Sequence, residues 1–161
     1  MRTLLPALLV TALFASGCPS AYQRTYDQET QRLEAEQRAR EQQLEAQRQE
    51  ARKFVAVVLF AIDSAVIDEA GYHELDWFLQ KIAPFPNVYI DVKGYTDSTG
   101  SEANNQTLSN ERAWAVQDYL VSRGISADHI SASAFGEAEP ARDNVSAKGR
   151  KQNRRAEVRV R

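Results

Sequence analysis

From Asp27 to Arg52 the chain runs 26 residues without a Gly or a Pro, and nearly every position is Gln, Glu, Arg or Ala. Such a composition favours helix strongly, yet the segment offers only Leu33 and Leu44 as large aliphatic side chains to bury. It cannot supply a core, so whatever folds compactly must lie in the 108 residues from Phe54 onward, enough for one modest domain. Glu34 with Arg38 and Glu36 with Arg40 stand at the supportive i,i+4 spacing. Tyr22, Leu33 and Leu44 recur every eleven residues, a period linked to slight right-handed supercoiling. One large apolar residue per eleven makes a thin seam, so oligomerisation through 27–53 is not favoured. The expectation is a solvated helical tether over 27–53, about 39 Å long at 1.5 Å per residue.

The first residues bound where the chain works. Arg2 precedes an almost wholly apolar run, Leu4 to Phe14, the pattern of a secretory signal, and this run is too short to span a bilayer. L-F-A-S-G-C then leads into Cys18, the single cysteine of the chain, and resembles the lipobox of bacterial lipoproteins. A lone cysteine in an exported chain has no intramolecular disulfide partner. The organisation read from these features is a lipoprotein signal peptide at 1–17, a lipidated N-terminus and short linker at 18–26, the tether at 27–53 and a domain at 54–161. Acylation at Cys18 would give stable attachment to a membrane, with the outer membrane favoured and the chain facing the periplasm.

Within the domain, F-V-A-V-V-L-F at 54–60 reads as a strand covered on both faces. Leu75, Phe78, Leu79 and Ile82 keep the spacing of a helix with one buried face, starting near Asp68 and stopping before Pro84 and Pro86. Val88, Ile90 and Val92 alternate with polar residues, a strand with one wet face. A second helix is expected from Asn104 or Asn105 as N-cap to Gly124 at its end. H-I-S-A-S-A-F supplies a third strand, and after a loop containing Gly, Pro and Asn, R-A-E-V-R-V-R supplies a fourth. Helical crossovers imply that the first strand pairs are parallel. The fold class is an α+β two-layer sandwich with a mixed βαβαβ-β sheet.

His73 and His129 lie far apart without metal-ligand spacing, so neither a metal nor another cofactor is expected. No phosphate-binding glycine loop or nucleophile elbow occurs, which makes an enzyme the minority reading. A formal net charge of −2 gives no reason to expect nucleic acid, although Lys148, Arg150, Lys151, Arg154, Arg155, Arg159 and Arg161 make the C-terminus basic. The most specific constellation is Gly94 to Arg112. Asp97 stands in a T-D-S-T-G turn after an apolar strand, while Asn105, Leu108 and Arg112 share one face of the next helix. A carboxylate and a guanidinium held together there would read the ammonium and carboxylate of a zwitterion; an ordinary Asp97–Arg112 salt bridge fits the spacing equally well.

G-Y-T-D-S-T-G, N-Q-T-L-S-N-E-R-A, F-G-E-A-E-P, Asn144 and G-R-K-Q-N-R-R-A-E-V occur in this order and resemble the C-terminal domain of the OmpA family. That domain is shared by outer-membrane protein A, peptidoglycan-associated lipoproteins and flagellar stator proteins. The resemblance implies non-covalent binding of peptidoglycan through the diaminopimelate of its stem peptide. Carried over by motif, Asp97 would hold the ammonium and Arg112 the carboxylate. Asp63, Thr96 and Asn105 would line the pocket beside Leu108, and Asn153 and Arg154 would brace the nearby sheet edge. Tol-system proteins are the protein partners that a Pal-like role implies. Two other readings stay open, a periplasmic cell-wall enzyme and an adaptor that binds only protein.

Overall fold

The computed structural model describes residues 20–85 and 87–161, so the signal peptide expected at 1–17 and Cys18 lie outside the described residues. The chain divides into two compact units, Met1–Glu41 and Gln42–Arg161. Helix α1 covers Ala21–Ala51 and is exposed along most of its length. It begins six residues before the tether read from the sequence, because the Ser20 hydroxyl accepts a hydrogen bond from the Gln23 amide at 3.2 Å and satisfies a first-turn donor. Glu34 pairs with Arg38 as expected, at 3.7 Å, whereas Glu36 turns back to Arg32 at 3.0 Å instead of forward to Arg40.

The second unit holds β1 (Val55–Leu59), α2 (Glu69–Ile82), β2 (Ile90–Gly94), α3 (Glu102–Ser122), a 3₁₀ turn at Ala127–His129, β3 (Ile130–Ala134), α4 (Ala147–Asn153) and β4 (Arg155–Val160). The four strands form one mixed sheet in the order β1-β4-β2-β3. Only β2 and β3 pair in parallel; β4 runs antiparallel to both β1 and β2. This corrects the expectation of parallel pairing from the first strand onward. The last strand inserts between β1 and β2, since Ala156, Val158 and Val160 all face the core and earn a central place by burial.

Helix α2 packs on β1, and α3 on β2, β3 and β4. Leu75, Phe78 and Ile82 of α2 and Ala113, Val116 and Leu120 of α3 meet Ala56, Val58, Ile90, Val92 and Val158 in one buried cluster. A fully buried side chain such as Phe78 or Leu75 contributes about 1.5–3 kcal/mol. Because the layer of helices covers one side of the sheet, β1 has one buried face only. Ala56, Val58 and Phe60 turn inward while Val57 stays 41% exposed, so the apolar run at 54–60 is an edge strand and not a strand covered on both faces.

Helix α2 starts where expected, and Asp68 is its N-cap, accepting from the Gly71 amide at 2.8 Å. Helix α3 starts earlier than expected. Ser101 is its N-cap, accepting from the Asn104 amide at 3.3 Å, so Asn104 and Asn105 lie inside the first turn and their side chains are released for other contacts.

Candidate functional site: an acid and two guanidinium groups where β2 meets α3

The end of β2 is drawn tightly onto α3. A Cβ on Gly94 would stand 1.9 Å from the Ser109 carbonyl oxygen, a separation that only glycine permits. Beyond Gly94 the backbone is held on both sides, the Tyr95 amide donating to the Arg155 carbonyl at 2.8 Å and the Thr96 amide to the Gly136 carbonyl at 2.7 Å. Thr96 and Asp97 are consequently buried although they begin a loop.

Arg112 is fully buried at mid-helix. Its Nε donates to the Ser64 carbonyl at 2.9 Å, Nη1 to the Tyr95 carbonyl at 2.9 Å and Nη2 to the Ala61 carbonyl at 3.1 Å. Its guanidinium also lies over the Phe60 ring, 5.2 Å from the centroid. One side chain thus ties the β1–α2 loop to the β2–α3 loop. A guanidinium has five N–H donors, so two remain uncommitted among the described residues. Burial, and then the neighbouring charge of Arg154, lower its pKa to about 10; it remains a cation at neutral pH.

No carboxylate lies within ion-pair distance of Arg112 among the described residues. The Asp97–Arg112 salt bridge that the spacing allowed is not formed. Asp97 pairs instead with Arg154, whose Nη1 reaches the carboxylate at 2.8 Å while its Nε donates to the Phe60 carbonyl at 3.1 Å. The Thr99 amide donates to the other Asp97 oxygen at 3.0 Å. Burial alone would raise the Asp97 pKa, but the hydrogen bonds from Arg154 and Thr99 outweigh it and hold the carboxyl below its ordinary value.

These groups surround a pocket of about 200 Å³. Asp63, Thr96, Asp97, Asn105, Leu108, Arg112 and Arg154, the residues singled out from the sequence, all line it. Asp63 enters from the β1–α2 loop with φ 50°, a left-handed conformation that aspartate tolerates. Asn105 is buried and donates to the Glu137 carboxylate at 2.7 Å. The Thr96 hydroxyl is buried without a hydrogen-bond partner among the described residues. Ile62, Thr99, Gly100 and Asn104 complete the lining and were not singled out in advance. Thr99 and Gly100 lie inside the T-D-S-T-G turn, and Asn104 was read as a cap.

Behind the pocket, Asn153 fixes the loop before α4. Its side chain donates to the Arg142 carbonyl and to Asn144 Oδ1, each at 2.8 Å, and accepts from the Arg142 amide at 2.9 Å. Asn144 Oδ1 accepts in turn from the Ser98 amide at 3.3 Å, next to Asp97. The two histidines are elsewhere, His129 against the Tyr89 ring and His73 beside Glu69, and no cluster of metal-ligating side chains occurs among the described residues.

A mixed sheet with helices on one face and a polar pocket at the junction of β2 and α3 defines a small α+β binding module. Residues 59–154 match the OmpA family, and the chain belongs to that family. Among its relatives, peptidoglycan-binding protein ArfA of Mycobacterium tuberculosis is 40% identical over 101 residues, 63% of this chain and 31% of the relative. The probable lipoprotein YiaD of Escherichia coli is 37% identical over 63% of this chain and 46% of its own length. The chain thus spans less than half the length of these relatives. Among solved structures, the peptidoglycan-associated lipoprotein from Burkholderia pseudomallei superposes with a TM-score of 0.62 at 26% identity, covering 66% of this chain and 90% of that one. The cell wall anchor of the T6SS from Pseudomonas aeruginosa gives 0.57 at 28% identity, over 66% and 79%.

Proposed function

We propose that this chain is a non-catalytic lipoprotein, Pal-like in role, that holds the outer membrane to peptidoglycan by gripping the free ammonium and carboxylate of diaminopimelate in the stem peptide. The observation that carries this reading is Arg112, a buried cation that lines a pocket with two uncommitted donors and no carboxylate within ion-pair distance among the described residues. A ligand carboxylate would supply the missing charge and accept from both donors. Asp97 has used one lone pair on each oxygen and retains acceptor capacity for an ammonium group. The Asp97–Arg154 pair keeps the acid charged and fixed before a ligand arrives.

Relatives named as peptidoglycan-binding, as a lipoprotein and as a cell wall anchor support the same substrate and a mechanical, not chemical, task. Acylation of Cys18 would provide the membrane end, residues 27–53 the spacer, residues 54–161 the wall-binding end, and Tol-system proteins the envelope partners. No helix among the described residues is long and apolar enough to cross a membrane. A sacculus pull-down of the full chain tests the proposal. Wild type should sediment with isolated sacculi and Asp97→Ala should stay in the supernatant. Sedimentation of Asp97→Ala equal to wild type would sink the zwitterion grip. Conversion of sacculi to new soluble muropeptides would sink the non-catalytic reading.

A further inference from the structure

The wall of the pocket includes one side chain whose two ends have opposite chemistry. A side-chain amide carries an oxygen that accepts hydrogen bonds and an NH₂ that donates them, so the end that faces a ligand decides whether an ammonium or a carboxylate is favoured there. Asn105 is buried and lines the pocket from the first turn of α3. It does not cap that helix, because Ser101 does.

The orientation of this amide is set from outside the pocket lining, by Glu137. An ionised carboxylate can only accept, so the end of Asn105 that reaches Glu137 Oε2 at 2.7 Å must be the Nδ2 donor. The oxygen is thereby turned toward Gly100. Asn105 Oδ1 is the nearest atom to the place that a Cβ on Gly100 would take, at 3.9 Å, and Gly100 lines the pocket in the same turn as Asp97. Among the described residues Oδ1 accepts no hydrogen bond and Glu137 makes no ion pair.

The backbone that carries Glu137 is fastened to both walls of the site. The Gly136 amide donates to Ser109 Oγ on α3 at 3.0 Å, and the Gly136 carbonyl accepts from the Thr96 amide at 2.7 Å. Gly136 has φ 54°, the left-handed region that glycine adopts without strain. Glu137 therefore leaves the chain at a point fixed relative to Asn105.

We propose that Glu137 is a positioning residue that sets the polarity of the pocket: by holding the Asn105 NH₂, it keeps Oδ1 facing inward as a second acceptor, with Asp97, for the ammonium group of diaminopimelate. This role rests on the peptidoglycan reading given above and adds to it a residue that need not touch the ligand. With Asp97 and Asn105 accepting and Arg112 donating, the zwitterion has one favourable orientation.

Calorimetric titration of the full chain with meso-diaminopimelate tests this through a double-mutant cycle. Glu137→Ala frees the amide to turn over and should weaken binding about tenfold, as expected for losing one hydrogen bond to a charged group. In an Asn105→Ala background the same change should weaken binding by no more than about twofold. Glu137→Gln removes the charge but keeps an oxygen to accept from the Asn105 NH₂, so it should stay within about threefold of wild type. A tenfold loss in both backgrounds would overturn the role, since Glu137 would then act without Asn105. Glu137→Gln binding as weakly as Glu137→Ala would overturn it in favour of simple attraction by the Glu137 charge, and wild-type affinity in Glu137→Ala would overturn it outright. A wild type that does not bind diaminopimelate overturns the peptidoglycan reading itself, and the role of Glu137 with it.

Discussion

Arg112 stands at the point where folding and recognition use the same atoms. Three of its donors hold backbone carbonyls of two loops, so Arg112→Ala strands three acceptors and opens a cavity. A loss of about 3 kcal/mol or more in unfolding free energy is expected from urea titration. Loss of binding in that variant therefore does not by itself assign a ligand contact. Asp97 is the cleaner probe, because its removal leaves Arg154 still bonded to the Phe60 carbonyl. The folded-state pKa of Asp97 is depressed, so the stability it contributes is present above the ordinary carboxylate pKa of about 4 and is lost as pH falls through the lower folded value. Wild type should lose more thermal stability than Asp97→Asn on acidification below about pH 4; parallel losses in the two proteins would contradict the assignment.

At the scale of the elements, Gly94 and the short helix α4 decide the shape of the site. Gly94→Ala places a Cβ against the Ser109 carbonyl and should cost about 3 kcal/mol or prevent folding, read as a lower urea midpoint or an insoluble product. Ser146 caps α4 by accepting from the Gly149 amide at 3.0 Å, and Ser146→Ala should cost about 1 kcal/mol. The long amphipathic elements were legible because their period reports burial directly, Leu75, Phe78 and Ile82 in α2 and Val158 with Val160 in β4. Helix α4 was not, since A-K-G-R-K-Q-N carries no apolar stripe and owes its form to a cap and to the buried Gly149 and Asn153. Strand order was also out of reach, because adjacency in a sheet depends on which strand can be buried at the centre and the connections alone do not state that. The seven pocket residues came from spacing on α3 together with the family resemblance. Their pairing could not be read, as Arg154 lies 57 residues from Asp97 in sequence.

For the whole molecule, the helix and the binding domain make separate demands. Tyr22, Tyr26 and Leu33 remain more than half exposed on α1, and so thin an apolar seam predicts a monomer in sedimentation equilibrium at micromolar concentration; a stable dimer would contradict it. Cys18→Ser should shift the chain from outer-membrane to soluble periplasmic fractions, with unchanged membrane fractionation as the opposing result. The central claim is that Asp97 and Arg112 read the two ends of one zwitterion. Calorimetric titration of the full chain with meso-diaminopimelate and, in parallel, with cadaverine tests it most directly, because cadaverine carries the two ammonium groups without the adjacent carboxylates. The account predicts measurable binding of diaminopimelate, at least about tenfold weaker binding of cadaverine, and loss of diaminopimelate binding in an Asp97→Asn protein that is still folded at the titration temperature. Equal affinity for the two ligands, or full affinity in Asp97→Asn, would contradict it.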